Sequence, residues 1–197
     1  EILEYIGYRF FTPFDYSHPR SINLREFMTL LEKNRGVLYK PAMGLRGLHL
    51  HTLHPVEALY DFWLDAEQEN AFRGIDWITK IRGNYVQWVA LNDINKENRY
   101  EGWKEGTEKI IEYAHKRGIK VGINCLVFTN SSLQNGYLMD EEDSLKIIRD
   151  LKFDVLNLSF GEFVGNSPSL FIGKIEDIKN KVKSIRPDIE ITATIHV

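Results

Sequence analysis

The chain has one cysteine, Cys125, which excludes an internal disulfide. It has no apolar run near the length of about 18 residues that a membrane-spanning helix requires. Lysine and arginine number 25 against 28 acidic residues, giving a net charge of −3. With neither a basic excess nor a Lys/Arg cluster, nucleic-acid binding lacks its electrostatic footprint. Disorder is equally unsupported, because 43% of residues are hydrophobic and 27% charged. What remains is one globular domain, or one domain with a piece of another, in 197 residues. Aromatics make up 12%, including four tryptophans, a content that suits a large core or a cleft that stacks on flat apolar faces.

Residues 1–45 differ from the rest. Glu1–Ile6 reads as a helix end closed by Gly7, and Tyr8–Phe11 as a short strand stopped by Thr12-Pro13. Asn23–Lys33 carries helical spacing through Leu24, Phe27, Leu30 and Leu31. The expectation is the end of a small α/β domain with its linker, or an extension packed on the floor of a barrel. From residue 46 a regular rhythm begins. Apolar strands are expected at Gly47–His54, Tyr85–Asn92, Lys120–Phe128, Phe153–Phe160 and Ile189–Val197. Helices are expected over Ala66–Lys80, Lys104–Lys116 and Ile172–Ile185, with one more capped by Asp140 and carrying Asp143 in its first turn. Strand starts fall roughly 33 to 38 residues apart, the length of one βα unit. Stretches such as Val121–Val127 and Val155–Leu158 read as apolar on both faces, as parallel strands covered by helices do.

Sequential βα units allow a closed barrel or an open doubly wound sheet. The residues after the first of these strands, His51-Thr-Leu-His-Pro-Val-Glu57, contain no Gly-rich phosphate loop, so nucleotide binding in the Rossmann manner is not expected. The expected class is therefore α/β. Residues 46–197 would supply the first five strands of a (β/α)8 TIM-like barrel, with three further units beyond Val197.

Enzymes of this architecture place their chemistry at the carboxyl ends of the strands. Those ends hold His49, His51 and His54; Asn92 and Asp93; Asn124 and Cys125; Ser159 and Glu162; and Thr194 and His196. Asn92 and Asp93 suit a vicinal diol, since a carboxylate accepts two hydrogen bonds and an amide both donates and accepts. They are an equally good turn pair. Trp63 and Trp103 are expected in loops on the active face, where they would stack on a flat apolar ligand face, and Trp88 in the core. Cys125, inside an apolar strand, reads as inert core.

The stretch Leu3-Glu-Tyr-Ile-Gly-Tyr-Arg-Phe-Phe-Thr-Pro13, then Pro19 and Ile22, then Lys40-Pro-Ala-Met-Gly-Leu-Arg-Gly-Leu-His-Leu-His51 forms a junction. It resembles the junction between a small α/β domain and the barrel in β-hexosaminidases of glycoside hydrolase family 20 and α-glucuronidases of family 67. The resemblance implies a carbohydrate-active barrel with its general acid at the end of the fourth barrel strand, where this sequence has Glu162. Glycosidic oxygens are poor leaving groups, and a carboxylic acid with a raised pKa is the group that protonates them. Phe160 and Phe163 would give Glu162 an apolar setting. Family 20 enzymes carry an Asp immediately before this Glu; here Gly161 stands there, which puts substrate-assisted chemistry in doubt. His51, His54, Trp63, Asn92, Asp93, Trp103 and His196 would then bind an oligo- or polysaccharide, with no cofactor and no metal. Two alternatives stay open. One is a barrel that binds polysaccharide without cutting it. The other is a metal-dependent amidohydrolase-type enzyme using His49, His51 and His196, which has Leu48 where that pattern has Asp.

Overall fold

A computed structural model of the chain describes residues 4, 6–37, 40–50, 61–90, 94, 98–126, 141–159 and 168–194. Two short strands, β1 (Arg9–Phe10) and β2 (Tyr16–Ser17), pair antiparallel with Arg9 opposite Ser17. Helix α1 (Leu24–Lys33) comes next, where Asn23 Oδ1 accepts from the backbone N–H groups of Arg25 at 3.1 Å and Glu26 at 3.2 Å. The repeated units are β3 (Gly47–Leu50), α2 (Gln68–Lys80), β4 (Tyr85–Ala90) and α3 (Tyr100–His115). They continue with β5 (Lys120–Leu126), α4 (Glu141–Asp150), β6 (Val155–Ser159), α5 (Pro168–Ile185) and β7 (Glu190–Thr194).

The five strands β3 to β7 form one parallel sheet in consecutive order. A doubly wound sheet reverses its order at a switch point, and this one does not. Crossovers of one hand, always stepping in the same direction, place every helix on the same face. The core obeys that rule. Val86, Trp88, Val121, Ile123, Leu156 and Leu158 are buried in a single apolar cluster with Ile78 of α2, Ile110 of α3, Ile147 of α4 and Val182 of α5.

The α/β class and the five-stranded parallel sheet are present; among the described residues no closed barrel is seen, and β3 and β7 are the two edges of an open sheet. One expectation needs correcting: β5 and β6 are not apolar on both faces. Side chains alternate along a strand, so Asn124 and Asn157 point away from the helices while Ile123, Cys125, Leu156 and Leu158 point into them.

Helix boundaries also shift. Helix α3 begins at Tyr100, four residues before the expected start, so that Gly102 lies inside it along with Gly106. A Cβ on Gly106 would collide with the Trp63 carbonyl, so the helix can lie this close to residue 63 only with glycine there. Helix α5 starts at Pro168, a position where proline has no intrahelical N–H bond to lose.

The amino ends of the strands are tied together by polar side chains. Asp154 Oδ2 accepts from the Val121 N–H at 2.7 Å and lies 2.8 Å from His115 Nε2. Arg186 donates to the carbonyls of Leu151 and Phe153, each at 3.1 Å. The segment before β3 packs on α2 and the turn before β4: Trp77 Nε1 donates to the Phe10 carbonyl at 3.1 Å, and Asn84 Nδ2 to that of Gly44 at 2.8 Å.

Ile123, fully buried in the central strand, should carry a large share of the stability. Ile123→Ala should cost about 2 to 5 kcal/mol, read as a lower urea midpoint.

Candidate functional site

The register sets out the face of the sheet turned away from the helices. One row across it runs His49, Gln87, Gly122, Val155 and Glu190. The next row toward the carboxyl ends runs Val89, Asn124, Asn157 and Thr192. A third holds Ser159 and Thr194. Opposite a face of valine, isoleucine, leucine and tryptophan stands one rich in amides, hydroxyls and an imidazole.

Two hydrogen-bonded groups occupy it. On the β3–β4 side the Tyr85 hydroxyl donates to Gln87 Oε1 at 2.6 Å, and Gln87 Nε2 lies 2.7 Å from His49 Nδ1. Gly122 makes room for the phenol, since a Cβ there would fall on the Tyr85 hydroxyl. On the β6–β7 side Asn157 Nδ2 donates to Thr192 Oγ1 at 2.8 Å, and Thr194 Oγ1 donates to Asn157 Oδ1 at 3.0 Å. Each amide thus spends its carbonyl and an N–H on neighbouring side chains. Asn124, between them on β5, is 6% exposed, and its Oδ1 has no hydrogen-bond partner among the described residues. Two other buried polar atoms among the described residues share that state, Trp88 Nε1 and Thr107 Oγ1. Trp88 belongs to the helix-side core and Thr107 to α3.

The charge on this face lies at its amino end, where Lys120 and Glu190 pair at 3.7 Å. Burial raises the Tyr85 pKa to about 12, with smaller contributions from the negative charges of Glu190 and Asp154. Cys125 faces the helices, fully buried, and burial pushes its thiol up to about 12 as well. It is inert packing.

His49 stands exposed on the polar face, its ring held by Gln87. Trp63 and Trp103 are only 8% and 2% exposed, and Trp103 lies within α3 rather than in a loop. Their rings fill the core, which corrects the expectation that they stack on sugar. Arg99 covers the Trp63 ring at 5.4 Å and pairs with Asp61 at 2.8 Å. His51, His54, Asn92, Asp93, Glu162 and His196 lie outside the described residues. Tyr85, Gln87, Asn157 and Thr192 were missed as site residues, although the sequence carried a signal for them. Within otherwise apolar strands, Tyr85/Gln87, Asn157/Ser159 and Thr192/Thr194 each fall two apart, the spacing of one strand face.

No family model matches the sequence, and no curated protein does. Among solved structures the chain is similar to a chitinase from Chromobacterium violaceum, at 10% identity and a TM-score of 0.49. That alignment covers 94% of this chain and 57% of the chitinase, so the chain spans less than two thirds of that protein's length. A likeness this distant bears on neither family nor activity.

The Tyr85 phenol yields a prediction at alkaline pH. Its folded pKa of about 12 exceeds the ordinary 10.0. The stability it contributes is therefore complete below pH 10 and is lost as pH rises through 12. The ultraviolet titration of wild type minus that of Tyr85→Phe should show one phenol with a midpoint near 12. A midpoint near 10 would mean that the ring is solvated.

Proposed function

We propose that the chain is a carbohydrate-active, glycoside hydrolase-like protein whose substrate lies over the polar face of the sheet. In this proposal the five strands are an arc of a (β/α)8 barrel and Glu162 is its general acid. The observation that carries it is the division of the sheet into two chemistries. One face is sealed by four helices. The other presents neutral amides, hydroxyls and an imidazole, the groups that recognise a sugar's hydroxyls by donating and accepting. Consecutive strand order with helices on one side supports the arc, since a barrel wall is built that way and a doubly wound sheet is not.

In the sequence Glu162 stands three positions after Ser159, the last residue of β6. This is where strand-end chemistry belongs. Its role would be to protonate the glycosidic oxygen as the bond to the sugar breaks. The junction resemblance to families 20 and 67 lends the same direction, and Gly161 favours a mechanism without acetamido assistance.

The test is reducing-sugar release from a panel of plant and chitin polysaccharides. Glu162→Gln should lower the rate about 10²- to 10⁴-fold while leaving polysaccharide binding in place. Unchanged hydrolysis in that variant removes Glu162 from the chemistry. Binding with no release by wild type would make the protein a polysaccharide binder.

A further inference from the structure

Among the described residues Asn124 is the one amide on the polar face whose carbonyl finds no partner. It occupies the middle strand of the five, in the row next to the carboxyl ends. Its neighbour across β4 is Val89, which has no side-chain donor, and across β6 is Asn157, whose Nδ2 donates to Thr192. Gln87, diagonal to it, already places its Nε2 on His49. The sheet therefore surrounds a buried acceptor with side chains that do not donate to it. A buried carbonyl without a partner is costly, and each such group in a native structure calls for a cause. A group held open for an incoming donor is one such cause, since the ligand then restores a bond that the free protein lacks.

The chemistry narrows the donor. The charges on this face, Lys120 and Glu190, pair with each other at its amino end. Asn124 itself is neutral, with amides, a hydroxyl and a valine around it. A cationic donor would find no carboxylate among the described residues beside this carbonyl. A neutral hydroxyl fits.

We propose that Asn124 is a specificity-determining residue whose Oδ1 accepts a hydrogen bond from a hydroxyl of a neutral sugar bound over β5. This rests on the carbohydrate reading above and assigns it a residue on a strand that the sequence left without a role. Asn124 positions substrate here and takes no part in bond cleavage.

Isothermal titration with cellotriose, xylotriose and N-acetylchitotriose, alongside thermal unfolding, tests it in wild type, Asn124→Leu and Asn124→Val. An acceptor that the free fold does not use can be replaced by an apolar side chain without loss. Both variants should therefore unfold at or above the wild-type midpoint, while their affinity for the bound trisaccharide falls about tenfold. The trisaccharide should raise the wild-type midpoint more than theirs. Unchanged affinity in the variants overturns the role of Asn124 and leaves the carbohydrate reading standing. Failure of both variants to fold also overturns it, since the carbonyl would then be serving the free fold. Binding of no trisaccharide to wild type overturns the carbohydrate reading itself, and this inference with it.

Discussion

The structure depends on the direction of its crossovers. Each of the strands β3 to β6 leads into a helix that returns the chain to the next position, always on the same side. All four helices therefore compete for one face, and their apolar stripes meet the same alternate residues of every strand. This creates a continuous core from β3 to β6 and leaves the intervening residues without a helical partner. Parallel sheets usually hide both faces, and their strands read as unbroken apolar runs. Here the second face is buried at its centre as well, yet it carries polar groups where no helix packs among the described residues.

Those groups are not idle solvent contacts. The central ones, Asn124 and Asn157, are each 6% exposed, so their polar atoms need partners. Asn157 is satisfied from β7, and Gln87 from its own strand and β3. Such cross-strand bonding fixes the amides in place before any ligand arrives, which is what a binding surface requires. The exception among these three amides, Asn124, sits at the centre. Among the described residues, ion pairing on this face is confined to its amino end, and the outer helices carry other pairs away from the central amides.

Much of the scaffold was legible in the sequence. The five strands and the helices between them were readable because short apolar runs alternate with helical spacing at intervals of one βα unit. Pro168 and Gly102 misled the helix starts: both read as loop residues, yet one suits a first helical turn and the other sits inside a helix that runs close to Trp63. The two-faced sheet was harder to see. In Gly122-Ile-Asn-Cys-Leu a single amide looks like a blemish in an apolar run, and its meaning appears only when register sets it beside Asn157. Trp103 shows the opposite limit. Sequence placed it near a strand end, and helical phase then turned it into the core. The strand-end residues expected to act, Glu162 foremost, lie outside the described residues, so their role stands as a proposal.

The central claim is that the polar sheet face, not the helical layer, is the ligand surface. Side-chain amide NMR during titration with whichever trisaccharide binds tests it most directly. The signals of Gln87, Asn124 and Asn157 should move together. That of Gln68, whose Nε2 donates to the Trp63 carbonyl at 3.0 Å in the helical layer, should stay fixed. Movement of Gln68 with the other three unmoved would contradict the account.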